Sequence, residues 1–206
     1  MARKGSSGRW LQEHRDDPYV KRARERGYRA RSAFKLEEIQ ARDRLLRPGM
    51  TVVDLGAAPG GWTQFAVHAL GGKGRVIALD MLPMTPVAGA DCVQGDFREQ
   101  CVLERLQVLV GERAVDLVMS DMAPNISGVK VADQARAMHL AELALEFAKD
   151  NLVAGGALLV KVFQGEGFDA YVRELRAAFG RVATRKPGAS RGRSPEHYLV
   201  ACGYRL

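Results

Sequence analysis

The stretch Thr51-Val-Val-Asp-Leu-Gly-Ala-Ala-Pro-Gly-Gly-Trp62 decides the fold of this chain. It begins with a short apolar run that contains two β-branched valines, which is typical of a buried strand. A glycine-rich turn follows, and residues 61–70 then have the apolar spacing of a helix. The stretch therefore predicts a strand, a tight turn and a helix, which open a βαβ unit.

Strand and helix patterns alternate on the C-terminal side of this stretch. Further short apolar runs that end near an acid or a glycine lie at residues 75–80, 90–94, 115–121 and 157–163. Helical patterns lie between or after these runs, at residues 61–70, 98–110, 132–152 and 168–179. Strands separated by helices of this length predict an α/β fold, a parallel sheet with helices on both faces.

The two ends of the chain have different patterns. Residues 181–186 and 197–204 predict an antiparallel strand pair, because a loop rich in Pro, Gly and Ser joins them. Residues 31–46 predict an amphipathic helix ahead of the sheet, with a buried side formed by Ala33, Phe34, Leu36, Ile39 and Leu45.

The charge is distributed unevenly along the 206 residues, a length that suits one α/β domain. The formal net charge of +7 divides into +7 for residues 1–48, −5 for residues 49–180 and +5 for residues 181–206. We therefore predict a single domain, 1–206, made of a basic N-terminal extension and helix, an acidic α/β core and a C-terminal hairpin with a basic loop. A basic run by itself is also compatible with a solvated helix face, but two basic ends favour one anion-binding surface if they meet in space.

Composition and motifs disfavour several other classes of protein. The three cysteines, Cys92, Cys101 and Cys202, form no Cys-x-x-Cys pair and no metal-ligand spacing with the four histidines. We therefore expect no metal. We also expect no secretory signal, because residues 1–10 lack an apolar core, and no membrane span, because the most apolar stretch is broken by Gly155, Gly156 and Lys161. A reduced, cytoplasmic monomer is the default expectation.

The residues that follow each strand predict a nucleoside cofactor, because ligands of open parallel sheets bind beyond the carboxyl ends of the strands. The first turn lacks the second glycine of a dinucleotide fingerprint, where it has Ala58, and the Lys-Ser/Thr of a P-loop, where it has Trp62-Thr63. Asp80 can accept hydrogen bonds from ribose hydroxyls, and Asp96 with Phe97 can bind an adenine. Together these residues predict a pocket for S-adenosyl-L-methionine (SAM), formed by Gly56, Gly60, Trp62, Asp80, Asp96, Phe97 and Asp121.

The chain resembles the FtsJ-type ribose 2′-O-methyltransferases over nearly its whole length. The motifs that carry the resemblance are Asp17-Pro-Tyr-Val20, Arg31-Ser-Ala-Phe-Lys-Leu36, Asp54-Leu-Gly-Ala-Ala-Pro-Gly-Gly-Trp62, Leu79-Asp-Met-Leu-Pro-Met84, Ser120-Asp-Met-Ala-Pro-Asn125, Val160-Lys-Val-Phe-Gln-Gly165, Ser190-Arg191 and Ser194-Pro-Glu-His-Tyr198. The resemblance implies a Rossmann-like class I SAM-dependent fold with a seven-stranded sheet. It also implies a Lys-Asp-Lys-Glu catalytic tetrad, which falls on Lys35, Asp121, Lys161 and Glu196.

The residues themselves support a special role for Lys161. It lies in an apolar strand, where a charge is costly unless it is paired, although a lysine near a strand end can also reach water. The chain has 23 Arg and only 8 Lys, so a position that needed only positive charge would more often be Arg. We interpret Lys161 as the general base, oriented by Asp121 and Glu196, with Lys35 either favouring loss of its proton or holding the target oxygen and a nearby phosphate. Neighbouring carboxylates oppose deprotonation, so a positioning cation remains an alternative.

The family's ribosomal members imply the substrate, a uridine ribose in the A-loop of 23S ribosomal RNA, within an assembled or assembling large ribosomal subunit. Base methylation is the first alternative, but Asp121-Met-Ala-Pro-Asn125 lacks the final aromatic residue of amino-group methyltransferases. A non-catalytic RNA-binding assembly protein and a nicotinamide-dependent reductase are further alternatives, and Ala58 and Pro59 disfavour the reductase. Candidate RNA-binding residues are Arg22, Arg24, Arg29, Arg31, Arg191 and Arg193.

Overall fold

The computed structural model describes residues 17–111, 115–191 and 194–205. The strands in these ranges are β1 (Thr51–Leu55), β2 (Arg75–Asp80), β3 (Ala90–Gln94), β4 (Val115–Ser120), β5 (Leu152–Phe163), β6 (Phe179–Arg185) and β7 (Glu196–Tyr204). They form one sheet in the order β3-β2-β1-β4-β5-β7-β6. Strands β1 to β5 pair in parallel, whereas β7 pairs antiparallel with both β5 and β6. The α/β fold and the mostly parallel seven-stranded sheet that the sequence predicted are confirmed.

The helices pack on both faces of this sheet. They are α1 (Pro18–Glu25), α2 (Ala33–Asp43), α3 (Gly61–Leu70), α4 (Gln100–Val110), α5 (Lys130–Asn151) and α6 (Phe168–Ala178). Helix α1 was not predicted, and it begins where the Asp17 side chain accepts a hydrogen bond from the Tyr19 amide, with Pro18 in the first turn. Two strands are longer than predicted: β5 begins at Leu152, and β7 includes Glu196, which the sequence placed in a loop.

The side chains of β5 alternate between two hydrophobic cores, as the pleat of a strand requires. Leu158, Val160 and Val162 pack on the face covered by α4, α5 and α6. Ala157 and Leu159 pack on the opposite face, which α2 and α3 cover. Lys161 continues this second series, so the alternation directs its side chain to the α2 side of the sheet.

The N-terminal helices and the loop between β6 and β7 contact each other directly. The Arg31 guanidinium pairs with the Asp17 carboxylate and donates to the Ala189 carbonyl. Glu38 on α2 accepts hydrogen bonds from the backbone amides of Gly188 and Ala189, at 2.5 and 3.0 Å. The described parts of the two basic ends therefore meet on one side of the sheet.

No helix in the described part of the chain is long and apolar enough to cross a membrane.

Candidate active site

Lys161 and Asp121 form the centre of the site. Asp121 follows the carboxyl end of β4, and Lys161 lies near the end of the neighbouring strand β5. The Lys161 Nζ lies 3.1 Å from the Asp121 Oδ1 and donates to the Asp121 carbonyl at 2.5 Å. Only 7% of the Lys161 side chain is exposed, so this buried cation has the partners that its burial requires.

Tyr198 connects this pair to the other end of the site, and the sequence interpretation missed it. Its hydroxyl donates to the Asp121 Oδ1 at 2.7 Å and accepts from the Lys35 Nζ at 3.1 Å. Tyr198 lies directly opposite Lys161 in the antiparallel pairing of β5 and β7, which places both side chains on one face. Burial, and then the charges of Asp121 and Glu196, raise the pKa of Tyr198, so the phenol stays a neutral donor.

Lys35 and Glu196 form the second ion pair of the site. Lys35 lies in the first turn of α2, and Glu196 is the first residue of β7. The Lys35 Nζ lies 2.5 Å from the Glu196 Oε1. The four residues of the expected tetrad are thus linked through Tyr198 into one chain of polar contacts, Glu196-Lys35-Tyr198-Asp121-Lys161.

The two acids of this chain are held in their charged forms. Burial by itself would raise the pKa of Asp121, but the charges of Lys161 and Lys35, with hydrogen bonds from Tyr198 and Lys161, lower it overall. Burial would also raise the pKa of Glu196, and the charge and hydrogen bond of Lys35 outweigh it, so this pKa is lowered too. The site therefore presents alternating positive and negative charges in a nearly dry environment.

A cavity of about 600 Å³ opens beside Asp121 at the carboxyl ends of the parallel strands. It lies where the sequence predicted the nucleoside cofactor. Of the expected cofactor residues, it brings together Gly56, Asp80, Asp96, Phe97 and Asp121. Its apolar wall includes Met81, Leu82, Met122 and Leu140.

Gly56 and Asp80 form the floor of this cavity. A Cβ at Gly56 would collide with the Met122 side chain, and the backbone φ of +77° also favours glycine. Each oxygen of the Asp80 carboxylate accepts one backbone amide at 2.8 Å, from Ala58 and from Leu82. These contacts fix the carboxylate and leave it lone pairs for ribose hydroxyls.

Asp96 is bound by Arg98, a residue to which the sequence did not assign a role. The Arg98 side chain binds the Asp96 carboxylate through Nε at 2.9 and 3.0 Å and through a terminal nitrogen at 2.5 Å. The hydrogen bond from Arg98 outweighs partial burial and lowers the pKa of Asp96. Both residues line the cavity, so the carboxylate that the adenine would meet is held by Arg98.

Gly60 and the side chain of Trp62 do not line the cavity, in contrast to the expectation. The Trp62 ring is 2% exposed, donates from Nε1 to the Ser32 carbonyl at 2.8 Å and packs against Tyr198. Gly60 caps the N-terminus of α3 beside the Arg29 side chain. Trp62 therefore supports Tyr198 from the core, and Gly60 lies at the start of α3.

Asp54, at the base of the same turn, is a fully buried carboxyl group. Its Oδ2 accepts a hydrogen bond from the Thr63 hydroxyl at 2.7 Å, and its Oδ1 has no partner among the described residues. Burial raises the pKa of Asp54 to about 7, the Thr63 hydrogen bond opposes the shift, and the charges of Asp121 and Asp80 add to it.

The candidate RNA-binding arginines differ in their surroundings. Arg22 and Arg24 are exposed on α1. Arg29 stays a candidate, and its guanidinium donates to the Thr85 and Pro86 carbonyls, which ties the N-terminal segment to the loop after β2. Arg31 and Arg191 line a second cavity, described below, and Arg193 lies outside the described residues.

The donor set of the first cavity fits SAM. Three carboxylates, Asp80, Asp96 and Asp121, suit a ligand with ribose hydroxyls, an amino group and positive charge. Apolar walls suit the adenine and the carbons bonded to the sulfonium. Within the described ranges, no group of three or more His, Cys, Asp or Glu side chains could hold a metal ion. The fold and the site together define a methyltransferase that binds a nucleoside cofactor.

Comparisons with known proteins lead to the same class. The family model of the FtsJ-like methyltransferases matches residues 28–204, and the chain belongs to this family. One similar protein of known crystal structure, from Plasmodium falciparum, is described as a ribosomal RNA methyltransferase. Its sequence is 25% identical to this chain, and the two structures superpose with a TM-score of 0.77 over 86% of this chain and 98% of that one. A Clostridium thermocellum protein described as an rRNA methylase is 18% identical, with a TM-score of 0.54 and coverages of 82% and 94%, and this likeness concerns the fold alone.

Proposed function

We propose that this protein transfers a methyl group from SAM to the 2′-oxygen of a uridine ribose in 23S ribosomal RNA. The target nucleotide would lie in the A-loop of an assembled or assembling large subunit in the cytoplasm. The observation that carries the ribose assignment is the Lys35-Tyr198-Asp121-Lys161 chain, whose Asp121 also lines the cofactor cavity. The uridine and the A-loop rest on the resemblance to the ribosomal members of the family.

An RNA substrate also agrees with the charge around this mouth. The segment that follows the basic helix α1, together with helix α2, meets the basic loop before β7 next to Lys35 and Glu196. Lys and Arg side chains supply affinity for RNA phosphates that does not depend on sequence. The related Plasmodium falciparum protein is described as acting on ribosomal RNA, which supports the same class of substrate.

The chemistry at Lys161 follows from its contacts. Asp80, Asp96 and Asp121 would hold SAM, which would supply an electrophilic methyl group. A ribose hydroxyl must lose its proton as it attacks, and we assign Lys161 as the group that accepts this proton after its own ammonium has released one proton to solvent. The Asp121 carboxylate, 3.1 Å away, stabilises the ammonium that results. Lys35, held by Glu196 and Tyr198, orients the hydroxyl oxygen.

The turn after Asp121 favours a ribose over a base as target. It reads Met122-Ala-Pro-Asn125, so it offers no aromatic ring on which a flipped base could stack. The exposed side chain of Ile126 follows and supplies no ring either. A ribose hydroxyl needs only proton removal and alignment, which the tetrad provides.

The test uses the different alkaline stability of the two products. Large subunits from cells that lack the protein are incubated with purified protein and SAM labelled on its methyl group, and the RNA is then hydrolysed in alkali. A 2′-O-methyl group blocks cleavage at its own nucleotide, so ribose methylation leaves the label in a dinucleotide. Label in mononucleotides would indicate base methylation and contradict the proposal. Free 23S RNA, tested in parallel, shows whether a particle is required.

A further inference from the structure

A second cavity, of about 520 Å³, lies on the other side of the tetrad. Its lining residues are Arg31, Ser32, Lys35, Arg191, Ser194 and Glu196. It shares none of them with the cofactor cavity, so it is a separate site. Lys35 and Glu196 belong both to this cavity and to the chain of contacts that ends at Lys161. A ligand here would therefore lie beside the reacting ribose and outside the cofactor pocket.

The residue types of this second cavity indicate its ligand. Three cationic side chains and two hydroxyls are donors that bind phosphate oxygens. The lining contains no aromatic and no aliphatic side chain, so a nucleobase would find nothing to stack or pack against. Phosphate chemistry therefore suits the cavity better than a base or a nucleoside.

The charges around the cavity leave room for one anion. Lys35 is paired with Glu196, and Arg31 is paired with Asp17. Arg191 has no carboxylate within ion-pair distance in the described ranges, so the five groups sum to one positive charge. The Nε of Arg31 is also buried and lacks a hydrogen-bond partner among the described residues. A single phosphodiester, with one negative charge, matches this surplus.

We propose that the second cavity binds the phosphodiester on the 3′ side of the target ribose. This proposal rests on the proposed function. The 2′-oxygen and the 3′-phosphate sit on neighbouring carbons of one ribose, so a phosphate held next to Lys35 places the 2′-oxygen toward Asp121 and Lys161. Arg191 is the principal phosphate ligand, and the Arg31 guanidinium, fixed by Asp17 and Ala189, forms the preorganised wall.

The test removes the charge from one partner at a time. A synthetic RNA hairpin that contains the target nucleotide is prepared with a neutral methylphosphonate at a single linkage, which is moved along the strand. Its affinity is measured at low salt for the wild-type protein and for Arg191→Ala, Arg191→Lys and Arg176→Ala, a control on the exposed face of α6. SAM affinity is measured for each variant to verify that the fold is intact.

We expect the wild-type protein to lose about ten-fold in affinity when the neutral linkage lies 3′ to the target ribose. Arg191→Ala should bind the unmodified hairpin about ten-fold more weakly than the wild type does. Its affinity should not fall further when the linkage on the 3′ side of the target ribose is made neutral. Arg191→Lys should retain part of the effect, and Arg176→Ala should match the wild type. The assignment would be overturned if Arg191→Ala also lost about ten-fold in affinity from the neutral 3′ linkage. It would also be overturned if the wild type lost most affinity when another linkage was neutral. Failure of the proposed function is distinguishable, because the label would then appear on a base whatever the affinities.

Discussion

The variant Asp54→Asn tests whether the buried Asp54 carboxyl group, at the base of the turn beside the cofactor cavity, is protonated in the folded protein. The pKa of Asp54 rises from 3.8 to about 7 on folding. The folded protein therefore holds this proton more tightly than the unfolded chain, and the associated stability is complete below pH 4 and is lost as the pH rises through 7. A shift of about three pKa units corresponds to about 4 kcal/mol, of which about 3 kcal/mol is lost between pH 5 and pH 8.

The assay is urea unfolding of both proteins between pH 5 and pH 8. Asparagine keeps the shape of the side chain and does not titrate, so the free energy of unfolding of Asp54→Asn should rise relative to the wild type by about 3 kcal/mol over this range. The Oδ1 position of Asp54 has no hydrogen-bond partner among the described residues, so one polar group of the new amide stays unpaired. This lowers the free energy of unfolding of Asp54→Asn by an amount that does not depend on pH. Thr63→Val removes the donor to Oδ2 and should move the transition to higher pH. Parallel pH dependences for Asp54→Asn and the wild type would refute a protonated Asp54.

Two further predictions concern the tetrad and the RNA surface. Tyr198→Phe removes the hydroxyl between Lys35 and Asp121, so single-turnover methylation should slow about five-fold, or about 1 kcal/mol, while SAM affinity measured by calorimetry stays unchanged; an unchanged rate would show that the bridge has no role. Arg22→Glu with Arg24→Glu should weaken RNA binding by at least about ten-fold and flatten its salt dependence, with SAM affinity intact. The matched double variant Arg173→Glu with Arg176→Glu on α6 carries the same charge change and should have a much smaller effect, and equal losses would contradict a localised RNA surface.

Much of the fold could be predicted from the sequence because turn signals limit each strand. Thr51–Leu55, Arg75–Asp80 and Ala90–Gln94 have the predicted bounds, since a glycine or an acid ends each apolar run. Helix α3 also has its predicted bounds, between Gly60 and Gly71, which both have left-handed backbone conformations. Local chemistry was sufficient for these elements.

The features that could not be predicted depend on contacts between distant parts of the chain. Tyr198 acts through its position opposite Lys161, and neither strand's sequence reveals the register of β5 with β7. The sequence shows Arg29 only as one of several basic residues. Its hydrogen bonds to the Thr85 and Pro86 carbonyls depend on the position of the loop after β2, which the sequence does not reveal. Trp62 was assigned to the cofactor because it follows the glycine turn, but burial against Tyr198 decides its orientation.

We propose that Lys161 serves methylation of a ribose in large-subunit RNA. The most direct measurement is mass mapping of 23S RNA from cells that lack the protein, after complementation with the wild type or with Lys161→Ala. We predict that the wild type restores one methyl group, on the 2′-oxygen of a uridine, and that Lys161→Ala restores none although the purified variant still binds SAM. Restoration by Lys161→Ala, or a restored methyl group on a base, would contradict the account.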